Sequence, residues 1–109
     1  MLFTNNVVDN STVFEINENL IIISFAETYI NKEERECTIC YMHTDENYLG
    51  QGYGTRLLEY IKKVCRELGV KKIFLDDCSD RFNQPDGNIY VRNGFRYIKK
   101  RFPEMVYEL

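Results

Sequence analysis

The sequence of 109 residues contains no tryptophan, two prolines and one histidine, and it has no excess of positive charge. Its 14 lysines and arginines are outnumbered by 17 aspartates and glutamates, and the formal net charge of -3 argues against a general nucleic-acid-binding surface. No segment approaches the roughly 20 consecutive apolar residues that a transmembrane helix requires. The N-terminus also lacks the basic and then apolar stretch of a secretory signal. We therefore expect a cytoplasmic protein without nucleic-acid or membrane partners.

The four cysteines do not form a recognisable metal motif. Cys37 and Cys40 have the spacing of half a zinc site, but no second pair follows them, and His43 is the one histidine of the sequence. On a strand, positions 37 and 40 point to opposite faces. We therefore predict no metal site and expect the thiols to be reduced.

Short runs of β-branched and aromatic residues, separated by polar turns, predict three strands in the first half of the sequence, at residues 13–16, 20–29 and 37–43. The connections between them are short, which favours an antiparallel meander. Along the third strand, alternation predicts one face with Ile39 and Tyr41 and another with Thr38, Cys40 and Met42.

The second half of the sequence begins with a helical pattern. Residues 52–68 have apolar side chains at three- and four-residue spacing, and Gly69 follows as a stop signal. A strand at residues 70–75 comes next, and a crossover of this length favours parallel pairing with the strand before the helix. The opposite, polar face of the helix is predicted to carry Arg56, Glu59, Lys62, Lys63 and Arg66.

A turn-rich segment, a short second helix and a hairpin complete the sequence. The short helix is predicted to begin at Gln84 or Asp86 and to end at Arg92. Residues 95–100 and 104–109 are predicted to form the hairpin. The sequence therefore predicts one domain that covers residues 1–109, of the α/β (α+β) class, with a mixed sheet.

The third predicted strand leads into a glycine-rich loop at the start of the long helix, with the sequence Gly50-Gln51-Gly52-Tyr53-Gly54-Thr55. Alternating glycines remove the Cβ atoms that would keep a ligand away from the backbone. The first N–H groups of a helix have no internal partner and carry the positive end of the helix dipole. The loop therefore predicts a site for a phosphate or pyrophosphate, since a tight turn alone would need fewer glycines.

Two common phosphate-binding loops do not match this segment. A P-loop requires Gly-Lys-Ser/Thr after its spacer, and the segment contains no lysine. A dinucleotide-binding fingerprint requires a third glycine where this protein has Thr55. It also follows the first strand of a parallel sheet, whereas this loop follows a meander.

The loop resembles the signature of the GNAT N-acetyltransferase superfamily, Q/R-x-x-G-x-G/A, although Leu49 stands where glutamine or arginine is usual. A second family signature is an asparagine followed by Y-x-x-x-G-F. Asn83 and the run from Tyr90 to Phe95 are similar to it. The resemblance covers residues 36–109. It implies a GNAT-like mixed, mostly antiparallel sheet with a long helix after the glycine loop and a short second helix.

The resemblance also implies a reaction, the direct transfer of acetyl from acetyl-coenzyme A to a primary amine. Tyr90 matches the family tyrosine that protonates the leaving thiolate, and a phenol with a pKa of about 10 suits that role. The implied cofactor-binding groups are the backbone at Met42 and Thr44, the residue Asn83, and the loop residues Gly50, Gln51, Gly52, Tyr53, Gly54 and Thr55.

The sequence leaves three candidates for the general base. Glu36, at the start of the strand before the loop, lies roughly where many relatives place a base that acts through water, and we rank it first. Asp77 follows the strand at residues 70–75, at the carboxyl edge of the sheet. His43 has the side chain whose ordinary pKa lies nearest neutrality.

The acceptor side departs from the family pattern. Relatives commonly carry two helices between their first and second strands, and residues 1–35 leave no room for them. An open acceptor side is therefore expected, which a homodimer or a large substrate would complete. The amine can be a small amine, a polyamine or a lysine side chain. A non-catalytic acetyl-coenzyme A or coenzyme A binding module and an interaction scaffold are the alternative functions.

Overall fold

A computed structural model of the protein describes residues 1–76, 89–98 and 104–109. In these ranges no helix has both the length and the apolar character needed to cross a membrane. Two α-helices are present there, α1 (Tyr53–Glu67) and α2 (Ile89–Arg92), and a 3-10 turn lies at Glu46–Tyr48. The strands of the described residues are β1 (Leu2–Val8), β2 (Ser11–Glu18), β3 (Ile21–Asn31), β4 (Glu36–Thr44), β5 (Lys72–Asp76), β6 (Arg96–Tyr97) and β7 (Glu104–Glu108).

The strands form one sheet in the order β1-β2-β3-β4-β5-β7-β6. The first four make an antiparallel meander, β4 and β5 are parallel, and β7 is antiparallel to both β5 and β6. The predicted fold class is therefore confirmed: a mixed, mostly antiparallel sheet with a long helix after the glycine loop and a short second helix. The parallel pairing of β4 and β5, predicted from the helical crossover, is confirmed as well.

Strand β1 is not predicted from the sequence. It is an edge strand that pairs along its whole length with β2, and most of its side chains are exposed. Asn5 and Asn6 lie at its centre, and asparagine is a poor strand former, so pairing with β2 overrides a weak local preference. A turn at Asp9 and Asn10 leads directly into β2, and Asp9 adopts a left-handed backbone conformation there (φ 56°).

Helix α1 packs its apolar stripe against one face of the sheet. Leu57, Leu58, Ile61 and Cys65 are fully buried, in one core with side chains from β2, β3, β4, β5 and β7. Lys62 is buried with them, so its predicted place on the polar face is wrong. The residue lies four positions after Leu58 and three before Cys65, which puts it within the stripe despite its charge.

A β-bulge in β4 changes the face on which its side chains lie. Thr28 on β3 pairs with Ile39, and the adjacent Glu27 pairs with Tyr41, so Cys40 is an extra residue. The prediction that Ile39 and Tyr41 share a face is therefore wrong: Ile39 is 5% exposed and Tyr41 is 52% exposed. Beyond the bulge the alternation is shifted by one residue in the part of β4 that leads to the glycine loop.

Candidate functional site

A cavity of about 630 Å³ opens where β4 ends and α1 begins. Gln51 is not among its lining residues, and its side-chain amide donates to the C=O of Asn47 at 3.4 Å. Asn83 lies outside the described residues. The other residues predicted to bind the cofactor do line the cavity, namely Met42, Thr44, Gly50, Gly52, Tyr53, Gly54 and Thr55.

Two of the loop glycines are required by their backbone conformation. Gly50 and Gly52 have φ values of +75° and +85°, in the left-handed region where other residues are strained. A Cβ atom placed on either residue would meet nothing within 4 Å. The space in front of both residues is therefore open to a ligand.

Helix α1 begins directly at this open space. Gly52 is its N-cap residue and has no side chain to cap the helix, and the first helical bond runs from the N–H of Arg56 to the C=O of Gly52 at 3.0 Å. The N–H groups of the preceding turn have no partner within the helix. Such a turn attracts anions through its N–H groups and the helix dipole together.

Gly54 has a different role in the loop. A Cβ atom at this position would lie 2.8 Å from Cδ1 of Ile89 on α2 and 3.9 Å from the hydroxyl oxygen of Thr44. The first of these distances is too short for two carbon atoms, so an added methyl group would require the end of the Ile89 side chain to shift, and glycine leaves room for it on the first turn of α1. The short helix is thereby brought to the wall of the cavity, which Ile89 lines.

The end of β4 presents backbone groups to the cavity. The N–H of Asp45 donates to the C=O of Ile23 on β3 at 2.8 Å. Because backbone groups alternate in direction along a strand, those of Met42 and Thr44 point away from β3. The hydroxyl of Ser24 lies 2.9 Å from the hydroxyl oxygen of Thr44, which fixes that side chain beside the cavity.

Strands β4 and β5 separate beside this edge. Their pairing ends at Ile39↔Leu75, well before β4 itself ends at Thr44. Among the residues that the structure describes, no strand takes the place of β5 beyond that point. An extended molecule with amide groups can therefore pair with the end of β4 as an added strand does.

Tyr90 lies on α2 and, unlike Ile89 and Arg92 of the same helix, is not among the residues that line the cavity. Its side chain is 8% exposed, and its ring contacts Phe95 edge-to-face with the ring centroids 6.0 Å apart. The backbone C=O of Tyr90 accepts a hydrogen bond from the N–H of Phe95 at 2.9 Å. Its burial and its ring contact are those of a core aromatic residue, and the role of Tyr90 as a proton donor stays a prediction.

Arg92 is a cavity residue that the sequence analysis missed. It lies on α2 two positions after Tyr90 and lines the same cavity as the glycine loop. The only signal in the sequence was a basic residue at the end of a short predicted helix. Its separation in sequence from the loop, about 40 residues, gave no reason to connect the two.

The base candidates are distributed over two cavities. His43 lines the first, and its ring packs on Phe25 and Tyr41 with centroid distances of 5.9 and 6.3 Å. Glu36 lines a second cavity of about 420 Å³, which extends along the first half of β4 to Cys40. At about 3.3 Å per residue, Glu36 lies roughly 20 Å along the strand from Met42. Asp77 lies outside the described residues.

The buried cysteines are structural. Cys37 is buried and Cys40 exposed, as predicted from their spacing on a strand. A hydrogen bond with Cys65 and burial both raise the pKa of the Cys37 thiol, which keeps it protonated and unreactive. Among the described residues, no three His, Cys, Asp or Glu side chains are grouped to hold a metal ion.

The family of the protein emerges from comparison with known proteins. Residues 4–95 match the model of the acetyltransferase (GNAT) family. No curated protein sequence matches this one.

Solved structures share the fold. The ribosomal-protein-S18-alanine N-acetyltransferase of Escherichia coli superposes with a TM-score of 0.77 and 20% identity, over 94% of this chain and 71% of its own. A GNAT acetyltransferase from Elizabethkingia anophelis, solved with acetyl-CoA bound, superposes with a TM-score of 0.74 and 19% identity, over 92% of this chain and 77% of its own. GCN5 from Tetrahymena superposes with a TM-score of 0.73 and 16% identity, over 93% of this chain and 69% of its own. At such identities the likeness shows a common fold.

Proposed function

Because this protein belongs to the GNAT acetyltransferase family, we propose that it transfers an acetyl group from acetyl-coenzyme A to a primary amine, by direct attack in a ternary complex. One observation carries the proposal: the open N-terminus of α1 and the separated edge of β4 border one cavity. The first suits a pyrophosphate and the second suits a series of amides, and coenzyme A contains both. The relative from Elizabethkingia anophelis has acetyl-CoA bound within the same fold.

The residues present fit this co-substrate. The N–H groups from Gln51 to Thr55 bind the pyrophosphate, and the open space at Gly50 and Gly52 leaves room for it. The backbone at Met42 and Thr44 pairs with the amides of the pantetheine arm, and Asn83 is proposed to assist. Arg92 adds a positive charge to the wall and compensates for Leu49, where relatives have a polar residue.

Each step of the transfer then has a candidate residue. Acetyl-coenzyme A supplies the acetyl group as a thioester. A backbone N–H at the end of β4 polarises its carbonyl. Tyr90 donates a proton to the departing sulfur. His43 is proposed as the base because it lines the first cavity, whereas Glu36, ranked first from the sequence, lies roughly 20 Å along β4 from Met42, beyond reach through one water.

A non-catalytic acetyl-coenzyme A binding module is the second candidate function. The observation that favours it is the direct turn from β1 to β2, which leaves the acceptor side of the described residues without helices. Tyr41, with 52% of its side chain exposed, and the neighbouring rings of Phe25 and His43 lie on strands that such helices would adjoin.

Calorimetric titration with acetyl-coenzyme A, together with an assay of thiol release, tests the function. We expect binding with a dissociation constant of about 1 μM to 1 mM, the ordinary range for enzyme substrates. We expect thiol release with one class in a panel of a small amine, a polyamine and a lysine peptide. Binding without release would favour the non-catalytic module. No binding would overturn the assignment of the glycine loop.

Arg92→Gln should weaken coenzyme A binding about 10-fold, which corresponds to about 1.4 kcal/mol. The substitution removes a charge-assisted contact with phosphate while keeping a side chain of similar length. Calorimetry measures the change, with Arg66→Gln near the far end of α1 as the matched control. An equal loss in both variants would show that net charge, and not the position of Arg92, governs binding.

A further inference from the structure

A buried lysine joins the long helix to the short one. Lys62 on α1 is 4% exposed, and its ammonium donates to the backbone C=O of Asn93 at 2.5 Å. The same ammonium lies 4.0 Å from the ring centroid of Tyr107 and 5.8 Å from that of Phe95. A carboxylate oxygen of Glu59 is 3.6 Å away. Lysine is almost never fully buried unless it has partners, and here each partner is identified.

Asn93 connects this lysine to both ends of α2 and to the glycine loop. Its side-chain amide donates to the C=O of Ile89 at 2.8 Å and to the hydroxyl oxygen of Thr55 at 3.3 Å. Its own N–H lies 3.1 Å from the C=O groups of Ile89 and Tyr90. Asn93 therefore closes α2 and links it to α1 twice, through Thr55 and through Lys62.

Helix α2 depends on such links for its position. It has four residues, far fewer than an isolated helix needs for stability in water. A well-packed apolar residue at position 62 would fill the core without the cost of desolvating a charge. The lysine lacks this advantage, but its ammonium donates a hydrogen bond to the C=O of Asn93, directly after α2, the helix that carries Tyr90.

We propose that Lys62 is a positioning residue: through Asn93 it fixes α2 against α1 and so places Tyr90 for proton donation. The proposal rests on the proposed acetyltransferase function and its assignment of Tyr90. Lys62 itself touches no reacting atom. Its effect should therefore appear mainly in turnover, with a smaller loss of cofactor affinity because α2 also carries Arg92 of the cavity wall.

The first test compares Lys62→Met with Lys63→Met. Methionine has a similar length and suits the buried stripe, so the variant should fold, whereas Lys63 is an exposed neighbour of equal charge. We expect kcat to fall about 10-fold in Lys62→Met, with KM for acetyl-coenzyme A rising by less than the roughly 10-fold expected for the loss of Arg92. Lys63→Met should match the wild type in both constants. A normal kcat in Lys62→Met would overturn the proposal.

The second test places Lys62→Met in a Tyr90→Phe background. If Lys62 acts through Tyr90, the second substitution should cost less than about twofold more, because the proton donor is already missing. If Lys62→Met lowered kcat by the same factor in the Tyr90→Phe background as in the wild type, the positioning role of Lys62 would be overturned. The proposed acetyltransferase function would not be affected. An undiminished kcat in Tyr90→Phe alone would overturn the acid assignment and, with it, the catalytic role of Lys62.

Hydrogen exchange supplies a readout that does not depend on activity. The N–H groups of Asn93 and Phe95 donate to C=O groups of α2. Their exchange should accelerate about 10-fold in Lys62→Met and stay unchanged in Lys63→Met. Unchanged exchange in both variants would mean that Lys62 does not order α2.

Discussion

Gly52→Glu should abolish coenzyme A binding, with a dissociation constant raised more than about 100-fold, or about 2.7 kcal/mol. The substitution places a side chain and a negative charge in the open space before α1, where the N–H groups are proposed to bind the pyrophosphate. The backbone of Gly52 is left-handed (φ +85°), so the variant also loses about 1–2 kcal/mol of folding stability. Titration calorimetry on the folded variant measures the loss of binding.

Gly69→Glu is the control for Gly52→Glu. Gly69 lies beyond the other end of α1, has a similar φ of +79°, and a Cβ atom there would also meet nothing within 4 Å. The two variants therefore share the added charge and the backbone strain, but only one of them obstructs the cavity. Gly69→Glu should bind coenzyme A like the wild type. Equal binding by both variants would show that the pyrophosphate does not lie at the glycine loop.

The glycine loop could be predicted because its requirements are local. Alternating glycines before an amphipathic helix indicate an open helix N-terminus in any fold. The structure adds that the glycines differ in role: Gly50 and Gly52 are required by their backbone conformation, whereas Gly54 leaves room for the end of the Ile89 side chain. That second reason involves a residue about 35 positions away and leaves no local pattern.

The motif Y-x-x-x-G-F likewise combines a requirement that is local in sequence with one that depends on packing. The structure explains Gly94 of Y-x-x-x-G-F by its φ of +89° and by the ring of Tyr107, which would lie 2.7 Å from a Cβ atom. The turn was predictable from the sequence, but its contact with Tyr107 was not, since it depends on how β7 is paired. Both constraints fix the backbone directly after α2.

The errors of the sequence analysis arise where pairing or packing overrides a local pattern. Strand β1 has exposed asparagines and forms because β2 offers a complete partner. The bulge at Cys40 shifts every later side chain of β4, and nothing in the alternation of types announces it. The charge of Lys62 is typical of a surface residue, but its three- and four-residue spacing from apolar residues of α1 places it in the buried stripe. The spacing alone predicts the burial of Lys62.

The pattern of residues along a strand does not show which cavity each candidate base lines. Glu36 begins β4 and His43 lies near its end, beside the glycine loop. The structure places His43 in the cavity of the glycine loop and Glu36 in the second cavity, where Asp76 and Glu104 are also found. The distance along β4 therefore separates two candidates that the sequence could only rank by residue type and family pattern.

Tyr90→Phe should lower kcat by about 100-fold or more and change the dissociation constant of acetyl-coenzyme A by less than about threefold. The substitution removes one hydroxyl and keeps the ring, so the edge-to-face contact with Phe95 and the packing of α2 are preserved. A proton donor acts on the departing sulfur, which becomes basic only as the thioester breaks. Its loss therefore raises the barrier without weakening binding. Steady-state kinetics with the amine identified by thiol release, together with calorimetry, measure both quantities.

Tyr60→Phe is the matched control for Tyr90→Phe. Tyr60 is a partly buried tyrosine of α1 whose ring packs on Phe3 and Phe14, and its hydroxyl accepts a hydrogen bond from Asn5 at 2.7 Å. That hydroxyl is held by the edge strand β1, so its loss should leave kcat within about twofold of the wild type. A parallel fall of kcat and affinity in Tyr90→Phe would make Tyr90 a packing residue. Turnover would then depend on another proton donor, such as solvent or one of Tyr48, Tyr53 and His43, which line the cavity.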